Sequence, residues 1–124
     1  MLTRRLVLLL AAAAAAVPAW AASPSPGRYQ ATLCVATSAS APPGCGPAEL
    51  DIRPGARAEV RVADVVYRLH LRPAQVDVSI MQGRMELDEF SAEYEWRGDV
   101  LSFVDTEKKA RYEVRTGARL HPPR

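Results

Sequence analysis

The sequence predicts an all-β domain: a single small antiparallel meander of about eight strands, closed into a barrel, with a two-sheet sandwich as the rival. Three observations predict it. Apolar and polar residues alternate at period two along most of the chain after Gly27. The alternating runs are strand-length and are bounded by short turn signals. No segment beyond Ala21 carries a sustained apolar stripe at helical spacing. Tight connections favour antiparallel neighbours, and closing the meander removes exposed edges.

The elements follow in chain order. Residues 1–21 read as a cleavable export signal: Arg4 and Arg5 supply the positive start, Leu6–Val17 is unbroken apolar, and Ala19-Trp20-Ala21 is a small-x-small cleavage site. The apolar run is about twelve residues, whereas a membrane-spanning helix needs roughly 20, so no stable span is expected after processing. Thr3-Arg4-Arg5-Leu6-Val7-Leu8 loosely resembles a twin-arginine signal, and the general secretory route is the alternative. Residues 22–27 form a Pro/Ser leader expected to be flexible. Residues 28–117 form the β-domain, and residues 118–124 read as a loose tail.

Removing the signal changes the electrostatics. The full chain has 16 basic and 14 acidic residues. Arg4 and Arg5 are lost with the signal and no acid is, so the processed chain is formally neutral. The pI near 8.7 belongs to the precursor and gives no ground for nucleic-acid binding.

Cys34 and Cys45 are the only cysteines. In an oxidising compartment they are expected to pair. The segment between them, with Ser38, Ser40, Pro42, Pro43 and Gly44, is poor in large apolar residues and cannot pack well by itself.

Within the domain, Tyr29, Ala31, Leu33 and Val35 alternate with polar or small residues. Ala48, Leu50 and Ile52 form a weaker run before the turn at Pro54-Gly55. Ala58, Val60 and Val62 follow, then Val65, Tyr67, Leu69 and Leu71, ended by Pro73. Val76, Val78 and Ile80 precede a turn at Gln82-Gly83. The apolar parity then changes, because Met85 and Leu87 are odd and Phe90, Ala92, Tyr94 and Trp96 are even. One half-buried strand cannot change parity without an extra residue, so Asp88-Glu89 is predicted to be a β-bulge or a strand break. That shift turns one carboxylate inward, where it needs a partner. A hairpin through Gly98 leads to Leu101 and Phe103, and Tyr112 and Val114 close the pattern.

Few residues invite chemistry. Arg68, His70 and Arg72 form a basic stripe on one strand, open to an anion or an acidic partner; the plainer alternative is a solvated face. Asp88, Glu89, Tyr94 and Trp96 make a second candidate surface for a partner or ligand. The acidic stretch from Glu86 to Glu107 lacks EF-hand spacing and is read as outer faces opposed by Arg68, Arg111 or Arg115. His70 and His121 are the only histidines, which leaves no multi-histidine metal centre and no Cys–His pair, so no metal and no cofactor are expected. No serine sits in a Gly-x-Ser-x-Gly setting. The expectation is a non-enzymatic, periplasmic or secreted bacterial β-domain acting as a binding or cell-envelope accessory module, its partner an unidentified envelope protein or a small apolar ligand. The alternatives are a carrier holding a small apolar ligand inside the barrel, or an enzyme inhibitor presenting the Cys34–Cys45 loop. Purified exported protein should begin at Ala22 by intact mass; a retained N-terminal segment would refute the signal assignment.

Overall fold

The computed structural model describes residues 23–38 and 42–120. The expected export signal, Ala22, the middle of the Cys34–Cys45 loop and residues 121–124 lie outside them. Nine strands are present among the described residues: β1 (Gly27–Ala36), β2 (Gly44–Arg53), β3 (Arg57–Val62), β4 (Val65–Leu71), β5 (Val76–Gln82), β6 (Met85–Ala92), β7 (Tyr94–Arg97), β8 (Val100–Asp105) and β9 (Ala110–Arg119). They form one sheet in the order β6-β5-β4-β3-β2-β1-β9-β8-β7, with every pairing antiparallel. The architecture is therefore the expected all-β meander, rolled into a nearly closed barrel by the pairing of β1 with β9.

The two sheet edges, β6 and β7, are consecutive in the chain and separated by Glu93 alone. Ala92, Tyr94 and Trp96 keep the same parity across that break. One bent run, 85–97, thus pairs with β5 through its first half and with β8 through its second. This accounts for nine strands where about eight were expected. The predicted parity shift is also present, as a bulge one residue before the expected Asp88-Glu89: Ile80 pairs with Asp88 and Met81 with Glu86, so Leu87 is the extra residue. The break itself falls later, at Glu93.

The periodicity sets the interior. Leu50, Val60, Val76, Val78, Leu101 and Val114 are fully buried, and all belong to one continuous core. Each such side chain contributes roughly 1.5–3 kcal/mol relative to its exposed state. Tyr112 occupies the centre of an aromatic group. Its ring stacks on Phe103 at 5.1 Å and on Phe90 at 5.8 Å, and meets Tyr67 edge-on at 6.0 Å. These contacts join β4, β6, β8 and β9, so the rings fill the space between strands that mostly share no hydrogen bonds.

Cys34 and Cys45 form a disulfide between directly opposed residues of β1 and β2. The bridge ties the two strands of the β1–β2 hairpin together.

Order extends past both expected ends of the β-domain. Gly27 begins β1, and Ala118 and Arg119, expected in the tail, extend β9. The Leu120 N–H donates to the Arg28 carbonyl at 2.7 Å. Ser25 and Pro26, expected in a flexible leader, are tied to the barrel. The Tyr29 hydroxyl donates to the Ser25 carbonyl at 2.6 Å, and Arg119 donates to the Pro26 carbonyl at 2.8 Å while lying over the Tyr29 ring. Gly27 permits this clamp: a Cβ there would stand 2.6 Å from the Arg119 guanidinium, at a φ of 148° that residues with side chains rarely adopt. At the β1–β9 bulge, a Cβ on Gly117 would come within 3.1 Å of the Gln30 carbonyl.

Reducing the disulfide, or replacing both cysteines by alanine, should lower unfolding stability by about 3 kcal/mol in urea titrations. An unchanged midpoint would show that the strand ladder alone holds this hairpin.

Candidate functional site

The seven candidate residues fall into three places. Arg68 and His70 project from the outer face of β4, and Arg72 follows its end. Their charge is partly compensated. Arg68 lies 4.0 Å from Glu59, which also engages Arg53 and Arg61. Arg72 binds Asp77 at 2.6 Å, and His70 stands in register between Arg57 and Asp77. The Ser91 hydroxyl and the Arg72 guanidinium hold the Asp77 carboxyl below its ordinary value. Exposed pairs of this kind are worth at most about 1 kcal/mol each. The partner of Arg68 comes from β3, not from the acidic stretch as expected.

Asp88 and Glu89 lie on β6, at an edge of the sheet. The bulge places Asp88 opposite inward-facing Ile80, and Lys108 supplies its partner across the seam between β6 and β8. Lys108 is delivered by the β8–β9 turn. Buried Asp105 accepts hydrogen bonds from the Glu107 and Lys108 N–H groups at 3.2 and 3.4 Å and so organises that turn. The Lys108 ammonium and the Glu89 N–H hold the Asp88 carboxyl below its ordinary value. Glu89 itself is exposed. Met85, Leu87 and Val104, the large apolar residues most exposed among those described, belong to the two strands that flank this seam. Nearby, burial pushes the Tyr112 hydroxyl up to about 12, reinforced by Tyr67, Asp105 and Asp88, which keeps it neutral.

Tyr94 and Trp96 lie toward the opposite end of the barrel, where a cleft of about 780 Å³ opens. Its floor is apolar: Ile52, Leu71 and the Trp96 ring. Three rims surround it, each fixed by a backbone contact. The β2–β3 turn is bent by Ala56, whose positive φ of 61° is a strained conformation, and the Ala56 carbonyl accepts from the Leu71 N–H at 2.7 Å. In the β4–β5 turn the Arg72 N–H donates to the Gln75 carbonyl at 2.8 Å, and the Arg72 carbonyl accepts from the Tyr94 hydroxyl at 2.7 Å. The third rim is Ser23 and Pro24, positioned by the Arg119 and Tyr29 clamp on the next two residues.

The Trp96 indole N–H and the Arg57 guanidinium are unspent among the described residues. Trp96 is mostly buried, yet its indole N–H has no hydrogen-bond partner among the described residues and is not sealed from solvent. Arg57 lines the cleft and its side chain makes no ion pair or hydrogen bond among the described residues, whereas the Arg53 side chain beside it is engaged by Asp51 and Glu59. Glu95, the one carboxylate lining the cleft, is held by Arg97 at 3.0 Å.

The sequence pattern marks Tyr94 and Trp96 but not Ile52, Arg57, Leu71 or Pro24. The apolar members carry the same alternation as core residues, so nothing marks them as facing a cleft. The Pro54-Gly55 and Pro73 turns are the only local sign, since rigid turns at one end of a barrel are where a rim forms.

A broader groove of about 1100 Å³ runs outside β8 and β9 beneath the Glu93 bend. Its charges are largely engaged with one another, as in Glu95–Arg97 and Glu113–Arg115. The Cys34–Cys45 loop, suggested for an inhibitor, lies partly outside the described residues. Among the described residues no three metal-ligating side chains converge. Compared with protein-family models, curated proteins and solved structures, the chain matches none of them.

The lowered Asp88 value makes acid stability a test of the seam. A carboxylate held below its ordinary value contributes stability that is complete above the ordinary range and is lost as pH falls through the lowered one. Melting temperatures from about pH 7 to about pH 2 should therefore fall more steeply for the native chain than for Asp88→Asn, with the gap closing in acid. A gap independent of pH would remove the ion pair as its source.

Proposed function

We propose that this chain is a non-enzymatic, exported binding module whose ligand site is the cleft above Ile52, Leu71 and Trp96. The observation that carries the reading is Trp96, which lines an apolar cleft and whose indole N–H has no hydrogen-bond partner among the described residues. The described residues make no use of that donor, so a ligand acceptor can take it, for roughly 0.5–1.5 kcal/mol of net stabilisation. Concave sites with an apolar lining and a few oriented polar groups are the usual form of a small-molecule site.

Three features support the non-enzymatic part. Ser23 belongs to the leader rather than to a strand, Glu95 is occupied by Arg97, and no histidine lines the cleft among the described residues. The cleft also replaces the barrel interior as the ligand's place. The interior is filled by fully buried Leu50, Leu101 and four valines together with the Tyr112 aromatic group. The export part rests on residues 1–21 and agrees with a disulfide-stapled β-domain suited to an oxidising compartment.

Native mass spectrometry of protein recovered from an exporting host tests the reading. The native chain is expected to carry a bound small molecule that Pro24→Trp loses, because the added ring fills the cleft from its rim. Stability of that variant should stay within about 0.5 kcal/mol of the native chain, since the barrel core is untouched. A native chain that carries no adduct, and whose Trp96 signal ignores a panel of apolar compounds, would overturn it.

A further inference from the structure

The cleft carries a charge preference beyond its apolar floor, and a role for that preference rests on the cleft being the ligand site. The charges at its rim are Arg53, Arg57 and Glu95. Arg53 is engaged by Asp51 and Glu59, at 3.3 Å each, and Glu95 is engaged by Arg97 at 3.0 Å. Arg57 remains. It stands in register with Arg53 on one side and His70 on the other, so neither cross-strand neighbour is a carboxylate. Like charges opposed across a ladder are unfavourable. An anion between these strands would relieve that arrangement, whereas a cation would worsen it.

We propose that the cleft takes an apolar molecule bearing a single carboxylate. The apolar body lies on Ile52, Leu71 and the Trp96 ring, and the carboxylate is received by Arg57. The planar guanidinium suits a carboxylate because it offers two parallel N–H donors. The Trp96 indole N–H donates to a ligand oxygen at the floor. Glu95 lines the same cleft, but its charge is met by Arg97, so the pair carries no net charge against the ligand.

The test uses the exported protein with decanoate, decanol and decyltrimethylammonium as probes. Affinity is read by titration calorimetry, and occupancy of the cleft by the Trp96 indole N–H resonance. Decanoate is expected to bind about tenfold more tightly than decanol, the gain of one charge-assisted hydrogen bond. Arg57→Gln should bring decanoate to within about twofold of decanol and leave decanol unchanged; as an exposed residue without a described partner, it should not alter the fold. Equal affinity for decanoate and decanol, tighter binding of the cationic probe, or an Arg57→Gln variant that keeps the preference would each overturn the carboxylate assignment. In those cases a shifted Trp96 resonance would leave the cleft itself standing. A Trp96 resonance unmoved by all three probes would overturn the cleft reading as well.

Discussion

A sheet has two edges, and every unpaired edge carries backbone N–H and C=O groups that seek partners. In this chain the β1–β9 ladder brings the first and last strands together, so the remaining edges belong to one bent run, Met85–Arg97. The rest of the structure follows from that closure. Because the run must leave β5 to reach β8, it bends at Glu93 and bulges at Leu87. Because it bends, a seam is left between β6 and β8. That seam is spanned by side chains in place of backbone: Phe90 against Phe103 inside, and Asp88 with Lys108 at its end.

The same closure divides polar from apolar work. The seam end is crowded with titratable groups that satisfy one another, and there Asp105 shapes the turn that delivers Lys108. The other end has the opposite character. Trp96 and Leu71 complete the core there but leave an apolar floor, and the turns around it are fixed by backbone contacts that leave the Arg57 side chain and the indole N–H unspent among the described residues. A site that takes a ligand needs donors not already committed to the fold, and among the seven candidate residues Trp96 meets that condition.

Much of the fold was legible in the sequence because period-two alternation reports directly which side chains face inward. The parity change near Asp88 even located a bulge, since a strand with one buried face has no other way to change phase. The break at Glu93 was not legible: Ala92, Tyr94 and Trp96 keep their parity through it, and a change of hydrogen-bonding partner leaves no mark on hydropathy. The strand at Ala118-Arg119 was missed because Gly117 reads as an ending, when its lack of a Cβ instead lets β9 pass close to Gln30. The cleft was only half legible. Tyr94 and Trp96 stood out as large aromatics, but Arg57 looks like any other surface arginine until its two cross-strand neighbours are known.

The clamp of Arg119 on Pro26 also fixes an orientation. It ties the segment entering the barrel to the strand leaving it, at the end where Ser23 and Pro24 border the cleft. The chain therefore enters and leaves the folded body beside the cleft mouth. A group attached at Ser23 would be held at the edge of that mouth. The opposite end, with the disulfide and the seam, would point away from the attachment.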